Sequence, residues 1–181
     1  MAKFFSSDYH LFHNKVIEYC NRPFKDINEM HRAIINNINS TLNPEDELWI
    51  LGDITMLGND HVRKVKNELD KIKNRNLHLV LGNHDSWRMK NYLEAGFRTI
   101  HSTMWFSYNK YNFFLFHDPA EYVAVQNAFP NSVALVGHVH ELFKHLLPGK
   151  SVINVGVDVW NFEPVSLDKI INVLEENNVG V

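Results

Sequence analysis

Three times in this chain a short apolar run stops on glycine and is followed at once by side chains that bind metals or move protons. These are LWILGD at residues 48–53, LVLGNHD at 79–85 and ALVGHVH at 134–140. Runs of β-favouring apolar residues bounded by glycine read as buried strands. Glycine at such an end lets the chain turn sharply and lets backbone approach an ion or ligand closely. Two more runs end on polar groups without the glycine: Lys3 to Ser7 before Asp8-Tyr9-His10, and Tyr111 to Phe116 before His117-Asp118. In open α/β sheets, ligands bind beyond the carboxyl ends of the strands, where several loops meet. Five strand ends therefore point to one site.

The segments between these runs read as an α/β layer fold. A short helix is expected over about Asn14 to Cys20. Asp26 and Glu29 make a capping-box pattern ahead of Ile27, Met30, Ile34 and Ile38, a helical face that ends near Asn43-Pro44. Val62, Val65, Leu69 and Ile72 mark another helix before the strand Leu77 to Leu81. The second half is richer in strands: Phe97 to Ile100, Met104 to Tyr108, Tyr111 to Phe116 after a tight turn at Asn109-Lys110, Val133 to Val136, and Ser151 to Val159. A helix from Ser166 to about Glu176 closes the chain. No Pro/Gly/Ser-rich linker or internal repeat divides it, so residues 1–181 are expected to form one domain without a cap domain.

Composition excludes several classes. A domain of 181 residues buries about 70% of its unfolded surface, and 45% apolar with 22% charged residues is ordinary for a globular protein. The formal net charge of -3 provides no overall attraction for nucleic acid or an anionic membrane, so a phosphate-bearing substrate needs a local cation. Cys20 is the single cysteine, which leaves no internal disulfide and reads as a small buried residue. The start MAKFFSSDYH lacks the apolar stretch of a signal peptide, and no run reaches the 18 or so apolar residues of a membrane span. A cytoplasmic location is expected. The unusual number is 11 histidines.

At the strand ends stand Asp8, His10, Asp53, Asn83, His117, His138 and His140. These seven exceed what one tetrahedral ion takes, and the mixed N/O set suits Zn, Mn, Fe or Ni better than Mg or Ca. Two divalent ions about 3.5 to 4 Å apart, bridged by one carboxylate, accommodate all seven. Two dications against two aspartates leave a formal surplus of about +2, enough to hold a phosphate in a chain of negative net charge. Asp8-x-His10 and His138-x-His140 each place two side chains on one side of extended backbone.

In this order, the motifs Asp8-x-His10, Gly52-Asp53, Gly82-Asn83-His84-Asp85, His117 and Gly137-His138-x-His140 resemble those of the calcineurin-like metallophosphoesterases. The resemblance spans residues 8 to 140. It implies an α/β fold, a four-layer α/β/β/α sandwich of two facing mixed β-sheets flanked by helices. It also implies one ion held by Asp8, His10 and His140, another by Asn83, His117 and His138, and Asp53 between them. His84 is then no ligand but assists the leaving oxygen, with Asp85 orienting it. The stretch from His13-Asn14 to Arg22-Pro23-Phe24 is similar to small bacterial and phage-borne members of the superfamily, which makes Asn14 and Arg22 candidate phosphate contacts. Many relatives continue Gly-Asp into an arginine that grips phosphate; here Thr55 and Met56 follow Asp53 and Ile54, which speaks against a protein phosphatase.

The expected activity is hydrolysis of a phosphodiester or phosphomonoester by a metal-bridging hydroxide. Nuclease, cyclic-nucleotide phosphodiesterase and non-catalytic scaffold stay open as alternatives. The expected partner is a phosphoester or nucleotide; Lys64, Lys66, Lys71, Lys73 and Arg75 read as a solvated helix face rather than a nucleic-acid footprint. His13, His31, His61, His78, His101 and His145 fall outside the motifs and read as surface or packing residues. Oligomeric state is not readable from the chain.

Overall fold

The computed structural model describes residues 1–129, 131–147 and 150–178. In chain order the strands are β1 (Lys3–Ser6), β2 (Glu47–Leu51), β3 (Leu77–Val80), β4 (Thr99–His101), β5 (Met104–Tyr108), β6 (Tyr111–Leu115), β7 (Ser132–Val136), β8 (Val152–Asn154) and β9 (Val165–Ser166). The helices are α1 (Lys15–Tyr19), α2 (Ile27–Thr41), α3 (Val62–Leu69), α4 (Met89–Ala95) and α5 (Leu167–Glu176). One sheet has the order β4-β3-β2-β1-β9, parallel except for the antiparallel β9 edge. The other has the order β5-β6-β7-β8, with an antiparallel β5-β6 hairpin followed by parallel pairs. The fold is thus α/β with two mixed sheets and flanking helices.

Strand periodicity explains how the sheets face each other. Successive side chains leave opposite faces. In the first sheet, Phe5, Trp49, Leu51 and Val80 point one way and meet Phe113, Leu115, Val133, Leu135 and Ile153 of the second. Leu48, Ile50, Leu77 and Leu79 point the other way, onto Met30, Ile34 and Ile38 of α2 and Val65 and Leu69 of α3. Burial on both faces is why these strands read as continuous apolar runs rather than alternating ones. Phe114, Phe116, Ala134 and Val136 on the far face of the second sheet are covered by Tyr122, from a 3-10 helix over Pro119–Ala124. Helix α5 sets Ile170, Ile171 and Leu174 into the inter-sheet cluster.

The capping box on α2 forms with a shift. Asp26 Oδ1 accepts the Glu29 N–H at 2.9 Å, while Glu29 Oε2 accepts from Lys25 N at 2.8 Å, one residue before the N-cap. The expected strand over Ser151 to Val159 is a correction: β8 stops at Asn154, because the Asn154 side chain turns back to accept the Gly156 N–H at 2.8 Å and a 3-10 turn follows over Val157–Val159. Five elements among the described residues were not expected: α4, the two-residue β9 and the 3-10 helices over Asn59–His61, Pro119–Ala124 and Val157–Val159. They are short, and the one local signal was Gly96, which closes α4 in the left-handed conformation at φ 112°. Among the described residues, no helix is long and apolar enough to cross a membrane.

Candidate metal centre

All seven sequence-nominated ligands lie in the loops that follow β1, β2, β3, β6 and β7, at the carboxyl ends of the parallel strands. The loops are stitched by backbone hydrogen bonds: Asp8 N to Gly52 O at 3.1 Å, His10 N to Asp53 O at 2.9 Å, and Gly137 N to His117 O at 3.0 Å. Glycine is required where these loops touch. A Cβ on Gly82 would lie 2.4 Å from Asp53 Oδ1, and one on Gly137 would lie 1.9 Å from Ser7 Oγ and 2.7 Å from Asp8 Oδ2.

The same-side argument for Asp8-x-His10 and His138-x-His140 needs correction. The strands end at Ser6 and Val136, and all four residues have left-handed backbone, with φ of 61°, 48°, 71° and 46°. Asp53 is also left-handed, at φ 56°. Each such residue costs on the order of 1 to 3 kcal/mol, and clusters of them are held in place at functional sites by the surrounding structure. Here that conformation turns the His138 N–H onto both Asp8 oxygens, at 3.0 Å each.

The side chains form two sets with Asp53 between them. Asp53 Oδ2 lies 3.6 Å from His10 Nε2, and its Oδ1 lies 3.4 Å from His117 Nε2. Asn83 Oδ1 is 2.9 Å from His117 Nε2 and 3.0 Å from His138 Nδ1. Asp8, His10 and His140 bring ligand atoms within 4.8 Å of one another, and so do Asp8, Asp53 and His117. Asp8 thus has a ligand atom near both the His10–His140 pair and the Asp53–His117 pair.

These residues fit a metal. Ligand atoms bound at about 2.1 Å to one ion lie about 3.0 to 3.4 Å apart at octahedral or tetrahedral angles. Both ring nitrogens of His10 are buried without a hydrogen-bond partner, a costly state for an imidazole unless a cation takes one of them. Burial holds His10 far below the ordinary histidine range. Burial also works against the charged forms of His117 and His140, but the carboxylates outweigh it: the Asp53 hydrogen bond and the Asp8 charge push His117 up to about 9, and Asp158 pushes His140 up to about 10. Burial raises Asp8, whereas at Asp53 burial is overcome by the His117 ring and the carboxyl ends below its usual range. Carboxylates that push both rings toward the charged form also favour cations, and ion binding would displace those protons.

Ring orientation is set from behind. His117 donates from Nδ1 to Leu51 O at 2.7 Å, leaving Nε2 for the centre. His140 donates from Nδ1 to Asp158 Oδ2 at 2.7 Å. Such outer partners commonly fix the tautomer of a ligating histidine. Asp158 was missed in the sequence, although INVGVD at residues 153–158 repeats the pattern of an apolar run, a glycine and an acid. Read as strand, it hid its own turn.

Two expected roles are corrected. Arg22 is no phosphate contact, because its side chain is fully buried and all its donors are engaged: Nε and Nη2 on Asp158 at 2.7 and 2.8 Å, Nη2 also on Asp8 O, and Nη1 on Tyr9 O and Met30 Sδ. Asp85 does not reach the His84 ring. Its Oδ2 accepts from Asp53 N at 2.8 Å and Gly82 N at 2.9 Å, and its Oδ1 accepts from Ile54 N, so it ties the β2 loop to the β3 loop. Burial pushes this carboxyl up to about 6. Asn14 is exposed at the start of α1, where its side chain caps nothing. Cys20 is half-buried rather than buried and stands beside His140 and Asp158. His84 is exposed, its ring 5.9 Å from that of His10, and its N–H donates to Asp53 Oδ1 at 3.1 Å.

Two facing mixed sheets bring histidine, aspartate and asparagine together on their strand-end loops, a mixed N/O donor set that suits divalent metals. The chain belongs to the calcineurin-like phosphoesterase superfamily, whose domain model matches residues 1–164. Among its relatives, an uncharacterized protein of Methanocaldococcus jannaschii is 34% identical over 179 residues, covering 96% of this chain and 91% of that protein. A solved protein of unknown function from Aquifex aeolicus superposes with a TM-score of 0.71 at 23% identity, covering 95% and 98% of the two chains. Yfce, a phosphoesterase from E. coli, superposes with a TM-score of 0.51 at 17% identity, over 86% of this chain and 78% of that one.

Proposed function

We propose that this chain hydrolyses a phosphoester, a diester or a monoester, with two divalent ions. Asp8, His10 and His140 would hold one, Asn83, His117 and His138 the other, and Asp53 would face both. The observation that carries this reading is Asp53 itself, whose two oxygens address different histidines, His10 and His117. When bound, such ions supply Lewis-acid stabilisation of phosphoryl charge and make water acidic enough to ionise near neutral pH. The chain supplies the rest. Asp85 and the glycines hold the β2 and β3 loops in register, and Asp158 keeps the His140 Nε2 turned toward Asp8 and His10. His84, exposed and free of ring hydrogen bonds to the described residues, donates a proton to the leaving oxygen. A cytoplasmic setting accords with a chain whose one cysteine has no partner in the sequence.

Metal analysis after reconstitution with Mn, Ni or Zn, followed by assays on mono- and diesters including cyclic nucleotides and single-stranded nucleic acid, tests the reading. About two ions per chain and metal-dependent turnover are expected. One ion per chain in an active preparation overturns the dinuclear site, and no turnover on any ester overturns the enzyme. His84→Asn is expected to lower kcat on an ester with a poor leaving group by roughly a hundredfold or more while metal content stays the same. Unchanged kcat on such an ester would remove His84 from the reaction.

A further inference from the structure

Beside the candidate centre opens a cavity of about 930 Å³, within the range of small-molecule pockets. One wall is the centre itself, through His10, His84 and His140. The apolar part of the lining comes from three separate segments: Val16 and Tyr19 of α1, Met56 after β2, and Val139 and Leu142 after β7. Tyr19, Met56 and Leu142 are 66%, 48% and 80% exposed. Apolar side chains that share one cavity with a few polar groups are the usual lining of a small-molecule site.

The charge of the cavity narrows the occupant. Among the described residues that line it there is no lysine or arginine, and apart from the histidines the one ionisable acid is Glu141. A polyphosphate or a nucleic-acid backbone running across this wall would meet no lysine or arginine and one carboxylate. The aromatic content narrows it further. The His13 ring stands edge-on to Tyr19 at 6.2 Å and tilted to His10 at 5.6 Å, a chain of rings leading from the centre outward. His13 and Tyr19 both line the cavity, so these rings form part of its surface. Met56, a thioether, adds a soft contact suited to a ring face.

We infer that the cavity receives the organic group of the phosphoester, and that this group carries a planar, uncharged ring lying against Tyr19, Met56 and Leu142. The inference rests on the phosphoesterase reading of the adjoining centre and narrows its substrate class. Aryl esters and nucleoside esters share this chemistry. Stacking of a ring on an aromatic side chain corresponds to roughly a five- to hundredfold gain in affinity.

The test uses the metal-reconstituted chain and non-hydrolysable probes, read by calorimetry. Phenylphosphonate is expected to bind at least about tenfold more tightly than methylphosphonate, and Tyr19→Ala with Leu142→Ser is expected to bring the ratio near one. A nucleoside 5′-phosphonate compared with phenylphosphonate then separates the two sources: tighter binding of the nucleoside probe points to a nucleoside ester, tighter binding of the phenyl probe to an aryl ester. Equal affinity for phenyl- and methylphosphonate, or a preference that survives the double variant, overturns the inference. Loss of hydrolysis or of metal uptake strikes the phosphoesterase reading instead, and leaves the ratio of phosphonate affinities to decide this one.

Discussion

Asp53→Asn is expected to yield a folded chain with little bound metal and little or no turnover. The substitution keeps the shape of the side chain and an oxygen for the His84 N–H, which now donates to Asp53 Oδ1 at 3.1 Å. The Asp53 backbone stays anchored, because its N–H is held by Asp85 and its carbonyl by His10 N. The change is in charge. Asp8 and Asp53 are the two carboxylates of a centre otherwise made of histidines and one amide, and Asp53 is the one placed between the two sets. Without it, two dications would face a single aspartate in a buried site. Ion content is therefore expected to fall from about two per chain toward zero. Turnover should fall roughly a thousandfold or more, because several kcal/mol of transition-state stabilisation go with the ions. Metal analysis together with kinetics on one ester checks this. Full ion content, or turnover within tenfold of the parent, would take Asp53 out of the centre.

Arg22→Met is expected to lower stability by about 3 to 5 kcal/mol, the usual result of leaving one partner of a buried ion pair uncompensated. Arg22 is fully buried and Asp158 is 3% exposed at the side chain. In a chain of this length such a loss lowers the melting temperature by roughly 6 to 20 °C. Its consequences extend to the centre, since the guanidinium also binds the carbonyls of Asp8 and Tyr9 and steadies the carboxylate that orients His140. Thermal unfolding of the parent, Arg22→Met and Arg22→Met/Asp158→Leu forms the test. The double variant should regain part of the lost stability, because it no longer buries a lone carboxylate. A single variant that melts within about 2 °C of the parent would show that the pair carries little.

The sequence was read differently at Arg22 and at Asp158, for one physical reason. A buried arginine and a substrate-binding arginine look the same as letters; what separates them is whether five donors find acceptors inside the protein. For Arg22 the decisive acceptor is Asp158, 136 residues away. Asp85 was misassigned on similar grounds. The family resemblance implies that it orients His84, yet its oxygens serve the backbone N–H groups of Gly82, Asp53 and Ile54. The fold was more legible. Strands buried on both faces leave uninterrupted apolar runs, and the polar letters that follow mark their ends. Short elements such as α4 and β9, which take their stability from packing rather than from local propensity, left little trace.

By itself the sequence determined the inventory of the site: seven side chains of types that can bind a metal, three glycines at strand ends, and their distribution over five apolar runs. Strand periodicity and side-chain chemistry are local properties, so they can be read from neighbouring letters. Only the tertiary structure decided that left-handed backbone at Asp8, His10, His138 and His140 aims the loops, that Asp158 stands behind His140, and that Arg22 is buried on Asp158. Those facts depend on contacts between segments up to 136 residues apart, and such contacts exist only once the two sheets have packed.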